Sequence, residues 1–139
     1  MIILDTNVLS ELMKSQPDPA VAEWVDAQPE PELFTTSITE AEIFLGVELL
    51  SIRKRRDVLL AAAERVFAVD FEGRILGFES ESARAFSRIS AHRRRLGKPI
   101  SQANAQIAAI AQVRRAKVAT RDIADFRDCG VEILNPWDA

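Results

Sequence analysis

The sequence predicts an α/β protein in which helices cover both faces of a parallel sheet. Short apolar segments typical of buried strands alternate along the chain with longer segments of helical pattern, and this alternation favours parallel strands joined by crossover helices. The chain has 139 residues, of which 47% are hydrophobic and 28% charged, as is ordinary for one soluble domain with one core. No glycine- or proline-rich stretch divides it, so we expect a single domain over residues 1–139.

Four short segments carry the clearest strand signal, and a fifth is weaker. Met1–Leu4 is an apolar run of the kind found in parallel strands that are buried on both faces. Leu33–Thr36, Lys117–Ala119 and Val131–Leu134 are the other predicted strands, and Phe67–Val69 is a possible one.

Helical pattern fills the chain between these strands. The predicted helical segments are the stretch after Asp5 through Leu12, Ala20–Ala27, Ser37–Leu49, Lys54–Val66, Arg74–Arg95, a strong helix capped by Ser101, and the turn Ile123–Phe126. Ser37 followed three residues later by Glu40 matches a capping box, which predicts that Ser37 caps its helix.

Charge and cysteine content exclude several classes of protein. The net charge is -3, whereas a protein that coats nucleic acid is usually basic, so any nucleic-acid contact needs a local basic patch. The single cysteine, Cys129, excludes an internal disulfide and fits a reducing cytosol. Met1–Asp5 does not resemble a signal peptide, and no apolar run approaches the roughly 20 residues that span a bilayer. We expect a cytoplasmic protein with no membrane contact.

Three acids stand at comparable points of the predicted pattern. Asp5 follows the first strand, Asp122 follows Lys117–Ala119, and Glu42 lies in the first turns of the helix after the second strand. Parallel sheets gather such positions at their carboxyl edge, where ligands bind in α/β folds. Asn104, near the start of its own helix, is a fourth polar group that enters the same edge.

Glu42 carries a second signal. It lies three residues before Leu45 and seven before Leu49, so it shares their helix face. We expect that face to pack on the sheet. A carboxylate on an apolar face is costly unless it is paired or ligates a metal, so the position favours a metal site.

Clustered carboxylates point to a hard divalent cation. Mg²⁺ prefers oxygen ligands and keeps several waters, and one cysteine with one histidine cannot form a zinc site. The chemistry open to such a site is metal-assisted hydrolysis of a phosphodiester. Simpler interpretations stay open at this point. Asp5 and Asp122 could be helix N-caps, and Glu42 a solvated first-turn acid. Asn104 could merely occupy the third position after the Ser101 cap.

The same residues lie in motifs that resemble those of PIN domains. Residues 3–7 (ILDTN) resemble the opening motif, 39–43 (TEAEI) with Gly46 the second, 99–101 (PIS) with 105–111 (AQIAAIA) the third, 119–122 (ATRD) with 125–126 (DF) the fourth, and 135–137 (NPW) the tail of the VapC/FitB-like subgroup. Each motif is weak alone, but together they occur in order over almost the whole chain, which makes the resemblance specific.

The resemblance implies a PIN-like three-layer sandwich with a central parallel sheet of four or five strands. It also implies an endoribonuclease toxin that depends on Mg²⁺ or Mn²⁺, forms a homodimer and is inhibited by a small antitoxin. In that family the antitoxin typically binds the operon DNA, so DNA contact would be indirect. Asp5, Glu42 and Asp122 match three of the family's four catalytic and metal-binding acids.

The fourth position departs from the family pattern, which has an aspartate where this chain has Asn104. The amide oxygen can still contact a metal, but it carries no charge. Two unit charges about 4 Å apart interact by roughly 4 kcal/mol at an effective dielectric constant of about 20, so the missing charge weakens the hold on a divalent ion. The resemblance therefore implies a catalytic and metal site of Asp5, Glu42, Asn104 and Asp122 whose activity Asn104 impairs.

Basic and aromatic residues give weaker signals. Arg53–Arg56 and Arg93–Arg95 are expected to be solvated helix ends, or alternatively to contact phosphate beside the acids. His92 is expected to be a surface residue rather than a general base. Trp24 and Trp137 are expected to be packing residues.

The segment Phe44–Leu50 is apolar nearly all round its predicted helix. One sheet face does not require so many apolar residues, so the excess suggests burial against a partner. We expect a hydrophobic homodimer, together with an antitoxin segment in a groove near the acids. An arginine of that antitoxin should approach the acids, because a guanidinium fork fits a carboxylate.

Two functions from different classes fit the sequence. The first is a ribonuclease toxin that an antitoxin holds inactive. The second is a catalytically silent PIN-fold binding module that acts through an antitoxin-like partner, and Asn104 is the feature that favours it. A receiver-like or nucleotide-binding α/β domain fits poorly, because the chain has no Gly-x-Gly-x-x-Gly and no Walker loop.

Overall fold

The computed structural model describes all 139 residues and has five parallel strands in one sheet. The strands are β1 (Ile2–Leu4), β2 (Leu33–Thr36), β3 (Ile75–Leu76), β4 (Lys117–Ala119) and β5 (Ile133–Leu134). Their order across the sheet is β3-β2-β1-β4-β5, with β1 in the centre, paired in parallel with β2 and β4. The predicted parallel sheet of four or five strands is confirmed.

Seven α-helices connect and cover the strands. They are α1 (Thr6–Leu12), α2 (Pro19–Asp26), α3 (Ser37–Glu48), α4 (Arg53–Arg65), α5 (Ser80–Arg95), α6 (Gln102–Arg114) and α7 (Ile123–Phe126). Short 3-10 turns lie at Glu30–Glu32 and Pro136–Asp138, and a π-helical turn at Val66–Asp70 extends α4. No helix combines the length and the hydropathy that a membrane span requires.

Two cores lie on opposite faces of the sheet. Successive strand residues point to opposite faces, so Ile3 packs with Ile89 of α5 and Ile107 of α6. Its neighbour Leu4 belongs to the other core, with Leu9 of α1. Because both faces of the central strand are covered, β1 is apolar without alternation. The two cores with the sheet between them form the predicted three-layer sandwich.

The third strand lies later in the chain than the sequence suggested. Phe67–Val69, a possible strand, belongs to the π-helical turn, and Phe67 and Phe71 are both buried at helical spacing. The strand is Ile75–Leu76, which pairs with Thr35 and Thr36 of β2. The predicted helix from Arg74 to Arg95 is therefore wrong at its start, and α5 begins at Ser80.

The Arg74 side chain explains why this short strand forms. Its Nη1 donates to the carbonyl oxygens of Glu30 and Leu33, at 2.9 and 2.6 Å, and its own carbonyl accepts from the Thr35 N–H at 3.0 Å. These charge-assisted bonds join Arg74, the residue before β3, to the segment that leads into β2 and to its first residue. A two-residue strand has no periodicity, so the sequence pattern could not reveal it.

Thr36, the last residue of β2, caps α3. Its Oγ1 accepts from the Thr39 N–H at 3.1 Å. The predicted capping box of Ser37 with Glu40 is therefore wrong by one residue, because the strand ends in a threonine that already occupies the N-cap position. Ser37 is the first residue inside the helix.

The face of α3 that packs on the core also differs from the prediction. The buried residues of this helix follow one line at four-residue spacing: Thr39, Ile43 and Val47. Leu45 is 59% exposed and Leu49 is 75% exposed. The prediction that Glu42 shares a sheet-packing face with these leucines is therefore wrong. The helix presents Ile43 and Val47 to the core, which leaves Glu42 and both leucines facing outward.

Candidate functional site

The structure brings all four predicted site residues into one cavity of about 550 Å³. Asp5, Glu42, Asn104 and Asp122 line it; Asp5 directly follows β1, and Asp122 lies three residues after the end of β4. The cavity therefore opens at the carboxyl edge of the sheet, as expected for an α/β fold. The other lining residues are Thr6, Asn7, Ser10, Glu11, Lys14, Ser101, Arg121 and Trp137.

Asp5 is the buried acid of the cavity, with only 3% of its surface exposed. Its Oδ1 accepts from the Thr6 N–H at 2.8 Å, which caps α1, and its Oδ2 accepts from the Thr120 hydroxyl at 2.8 Å. The pKa of Asp5 is raised to about 6, mainly because the carboxyl group is buried. The hydrogen bonds from Thr120 and Thr6 lower this pKa, whereas the negative charges of Glu42 and Asp122 raise it. The carboxylate is thus held charged at neutral pH at a cost in solvation.

Asn7 links the acids to one another. Its Nδ2 lies 3.1 Å from Asp122 Oδ2, 3.2 Å from Thr120 Oγ1 and 3.4 Å from Asp5 Oδ2. Its Oδ1 accepts from the Arg121 N–H at 3.2 Å. The amide therefore supplies donors where the two carboxylates would otherwise repel each other.

Thr120 is the second connecting residue. Its buried hydroxyl donates to Asp5 and accepts from the Asp122 N–H at 3.0 Å. Sequence reasoning missed both Asn7 and Thr120 as site residues. The available signal was position, because each lies within two residues of a predicted acid in the motifs ILDTN and ATRD.

Glu42 reaches the cavity from the outward face of α3. Its side chain is exposed, and its Oε1 accepts from the Thr6 hydroxyl at 2.7 Å. Thr6 Oγ1 also lies 3.0 Å from the Thr39 hydroxyl, which ties the start of α1 to the first turn of α3. Glu42 thus lines the cavity with the other predicted residues, although the argument from its helix face was wrong.

Asn104 and Asp122 sit at the starts of two helices. Asn104 is the third residue of α6, and its N–H donates to the capping Ser101 Oγ at 3.2 Å, as predicted. Asp122 occupies the N-cap position of α7 but makes no side-chain capping bond. The alternative that these acids are only helix caps therefore holds in part for Asp5, whose side chain caps α1, and does not hold for Asp122. Asp125, which sequence reasoning did not include, lies beside Asn104.

The donor set suits a hard divalent cation. The three carboxylates and the Asn104 amide offer oxygen only, and the mutual repulsion that helps to raise the pKa of Asp5 is what a cation relieves. No group of three or more acidic, histidine or cysteine side chains is arranged so that it could hold a metal ion directly. Mg²⁺ keeps several waters when it binds proteins, so the residues fit a partly hydrated ion.

A cation and an indole form one wall of the cavity. The Arg121 Cζ lies 5.1 Å from the centroid of the Trp137 ring. Trp137 was expected only to pack, and it does pack against the core on the α1 side, as does Trp24. The other lining cation, Lys14, is 3.0 Å from the Glu11 carboxylate.

A larger groove of about 1040 Å³ adjoins the acidic cavity. It runs between α1, α3 and α4, and Thr6, Ser10, Lys14 and Glu42 line both spaces. Much of the rest of its lining is apolar, with two basic residues, Lys54 and Arg55; the apolar residues are Met13, Ile43, Val47, Leu50, Ile52, Val58 and Leu59. A groove near the acids, as predicted for a bound segment, is therefore present.

The two basic runs have different environments. Arg53–Arg56 begins α4, with Lys54 and Arg55 on the groove, so it is a helix start and not a helix end. Arg93 is buried and donates to the carbonyl oxygens of Lys98, Asp125 and Arg127, so the expectation of a solvated or phosphate-contacting residue is wrong there.

Comparison with known proteins places these features in a family context. Residues 2–131 match the family model described as PIN domain. The VapC ribonuclease Y4jK of Sinorhizobium fredii is 39% identical over 138 residues, which cover 99% of each chain. Toxin FitB of Neisseria gonorrhoeae is 39% identical over 137 residues, again 99% of each. The crystal structure of FitAcB from Neisseria gonorrhoeae contains a chain that superposes with a TM-score of 0.90 at 37% identity, with 100% of both chains covered.

Proposed function

This chain belongs to the PIN-domain family, and we propose that it is the ribonuclease toxin of a toxin–antitoxin pair, a metal-dependent enzyme that cleaves RNA phosphodiesters. The observation that carries the proposal is the convergence of Asp5, Glu42, Asn104 and Asp122 on one cavity within this fold. The buried free thiol of Cys129 is in keeping with a cytoplasmic protein.

Asp5, Glu42 and Asp122 would hold a divalent cation, with the Asn104 amide oxygen as a neutral fourth donor. Mg²⁺ or Mn²⁺, when bound, would activate a water as nucleophile and stabilise charge on the phosphate. Around it, Asn7 and Thr120 fix the orientations of Asp5 and Asp122 through the hydrogen bonds described above. With three formal negative charges in place of four, this form should bind the ion more weakly than an all-acid site.

The groove between α1, α3 and α4 would receive the antitoxin. It is long, mixed apolar and basic, and shares Thr6 and Glu42 with the acidic cavity. An antitoxin segment lying in it could bring an arginine to the carboxylates, where a guanidinium would replace the metal ion and block catalysis. Contact with DNA would be made by the antitoxin and not by this acidic chain.

Two exposed leucines, Leu45 of α3 and Leu49 at its C-cap, support a homodimer. Leu45 and Leu49 do not line the groove, so an antitoxin docked there would leave them uncovered. Large exposed side chains of this kind fit an apolar interface between two copies of the chain.

The test is cleavage of RNA by the purified chain with Mg²⁺ or Mn²⁺, compared with the Asn104→Asp form and with Asn104→Asp carrying Asp5→Asn. We expect slow cleavage by the chain, faster cleavage by Asn104→Asp and none by the double variant. Chelation of the metal should abolish all activity. Failure of the Asn104→Asp form to cleave any RNA under these conditions would contradict the proposal.

A second candidate is a catalytically silent binding module that keeps the groove and its partner. Asn104 favours it, because the amide removes one anionic oxygen from the cavity. The two candidates separate in a single comparison. A silent module would bind the antitoxin and show no cleavage above the double variant, whereas a weak enzyme would exceed it.

A further inference from the structure

Arg121 is a cation at the rim of the acidic cavity that is engaged in no ion pair. The four ion pairs of the structure involve other residues, and Lys14, the other cation of the cavity lining, is already bound to Glu11. The Arg121 side chain is exposed, and it immediately precedes Asp122. Lys14 chiefly lowers the pKa of Glu11, and the charge of Arg121 adds to this effect without an ion pair, so the Arg121 N–H donors are available to a ligand that enters the cavity.

Trp137 holds this guanidinium in place. Trp137 is the one hydrophobic residue of the cavity lining, and the Arg121 Cζ lies 5.1 Å from its ring centroid. The backbone N–H of Trp137 donates to Asn135 Oδ1 at 3.0 Å, which caps the 3-10 turn Pro136–Asp138, and the indole ring packs on the core near α2. A guanidinium stacked on an aromatic ring keeps the N–H donors at its edge free for a planar or tetrahedral anion.

The anion that fits is an RNA phosphate. Three carboxylates repel a polyanion, so a cation beside them is needed to hold the backbone close to the acids. Arginine offers two parallel donors to phosphate oxygens, and single-stranded RNA presents a phosphate at every nucleotide. Arg121 directly precedes Asp122 and lines the same cavity as the acids, so a phosphate that it binds would lie beside the phosphate held at the acids.

We propose that Arg121, seated on Trp137, binds the RNA phosphate that adjoins the scissile phosphodiester. Arg121 is then a substrate-binding residue, and Trp137 is a positioning residue that acts through it. The inference rests on the proposed ribonuclease function and adds the subsite through which the cavity holds its substrate.

Binding of RNA without turnover tests the subsite directly. The probe is a short fluorescein-labelled single-stranded RNA of mixed sequence, and its anisotropy is titrated with protein in EDTA at several salt concentrations. Arg121→Ala should weaken binding about tenfold, the effect of losing one charge-assisted contact. It should also lower the slope of log affinity against log salt by about 0.7, the value for one phosphate on a single strand. Arg121→Lys should lose part of the affinity but keep the salt slope.

Arg114→Ala is the matched control, because Arg114 is an exposed arginine at the far end of α6 from Asn104. It removes the same charge outside the cavity and should leave affinity and salt slope nearly unchanged. Equal losses in Arg121→Ala and Arg114→Ala would overturn the subsite while leaving the proposed function intact. If the chain and its Asn104→Asp form neither bind nor cleave RNA, the proposed function fails and the subsite fails with it.

A double-mutant cycle tests the role of Trp137. Trp137→Ala should weaken RNA binding nearly as much as Arg121→Ala, and the double variant should lose little more, because the indole acts through the guanidinium. Trp137→Phe should restore most of the affinity by keeping an aromatic face. In the Asn104→Asp form, Arg121→Ala should raise KM for RNA with little change in kcat. Fully additive losses would show that the indole contacts RNA independently and would overturn its role as a support.

Discussion

The side-chain amide of Asn104 lies 3.5 Å from the carboxylate of Asp125, a long hydrogen bond that faces an acid outside the predicted set. Where the family pattern has an aspartate, this chain therefore has a neutral amide that donates to the negatively charged Asp125. An aspartate at 104 would place two carboxylates against each other at the edge of a cavity that four acids, Asp5, Glu11, Glu42 and Asp122, already line.

We predict that Asn104→Asp raises the affinity for Mn²⁺ on the order of tenfold or more. The added anionic oxygen competes better with the waters of the ion, and two unit charges about 4 Å apart interact by roughly 4 kcal/mol at an effective dielectric constant of about 20. Repulsion in the metal-free cavity should also raise the pKa of at least one carboxyl group, so that metal binding releases more protons. Calorimetry in buffers of different ionisation enthalpy measures both quantities.

The control for this prediction is Asp125→Asn, which removes a charge next to Asn104 without adding a metal-binding oxygen. It should leave Mn²⁺ affinity almost unchanged or slightly lower. If Asn104→Asp matches the unmodified chain in affinity and in proton release, Asn104 lies outside the functional site, and the transfer of the family's fourth acid to this position is wrong.

The raised pKa of Asp5 makes the stability of the metal-free protein depend on pH. Burial raises this pKa from 3.8 to about 6, so the folded protein binds more protons than the unfolded chain between these values. The contribution of Asp5 is therefore most favourable below pH 4 and is lost as the pH rises through about 6. A shift of this size corresponds to at most about 3 kcal/mol.

Asp5→Asn should remove that dependence. The difference in free energy of unfolding between Asp5→Asn and the unmodified chain should move in favour of the variant from pH 4 to pH 7, measured by urea unfolding in EDTA. Asp57→Asn, a change at an exposed acid of α4, should show no such trend. A difference that stays constant with pH would mean that Asp5 is ionised as readily in the folded as in the unfolded chain.

Thr120→Val should destabilise the protein by about 1 to 3 kcal/mol, the cost of leaving buried polar groups unpaired. The hydroxyl bonds to Asp5 Oδ2, the Asp122 N–H and Asn7 Nδ2, and valine has the same shape without these bonds. Thr120→Ser should recover most of the stability and of the Mn²⁺ affinity. Thermal unfolding with and without Mn²⁺ separates the two effects, and a Val variant as stable as the Ser variant would show that the network contributes little.

The sheet and the cluster of acids were predictable because both follow from position along the chain. β2 and β4 begin and end where the apolar pattern placed them, and Asp5 and Asp122 follow strands that a parallel sheet aligns. Local pattern and global fold agree at these places, which is what makes sequence reasoning succeed. The edge strand β3 was not predicted, because it has only two residues and its position depends on Arg74, which binds backbone carbonyls far away in sequence.

The rotation of α3 was not predictable from its composition. Apolar residues occupy nearly every side of the helix between Phe44 and Leu50, so hydropathy alone does not tell which side meets the core. Tertiary packing places Ile43 and Val47 inward, and the Thr6 hydroxyl, which bonds to Glu42, sits beside them. The place of Glu42 after β2 correctly predicted that it lies with the other acids, but the argument from its helix face was wrong.

We predict that the buried Arg93 stabilises the contact between the end of α5 and the segment around α7. Arg93→Met should cost roughly 2 to 4 kcal/mol, because it leaves the carbonyl oxygens of Lys98, Asp125 and Arg127 without their charged donor. These bonds join the end of α5 to the segment around α7. Arg94→Met, at an exposed neighbour, is the matched control and should change stability by less than about 0.5 kcal/mol. Denaturant unfolding measures both, and equal small effects would show that the buried guanidinium is dispensable.

The exposed leucines of α3 lead to a prediction about assembly. Leu45 of α3 is 59% exposed and Leu49, the C-cap residue of this helix, is 75% exposed, whereas Thr39, Ile43 and Val47 already pack on the core. If a second copy of the chain covers them, Leu49→Glu places a charge in an apolar interface and should convert a dimer at micromolar concentration into a monomer. The folded monomer should lose little stability of its own, because the side chain has few contacts within the chain.

Val69→Glu is the control, since Val69 is 62% exposed outside this segment and should leave the dimer intact. Sedimentation equilibrium of the three proteins decides the matter: a monomeric unmodified chain, or a dimer that survives Leu49→Glu, would mean that these leucines do not form the subunit interface.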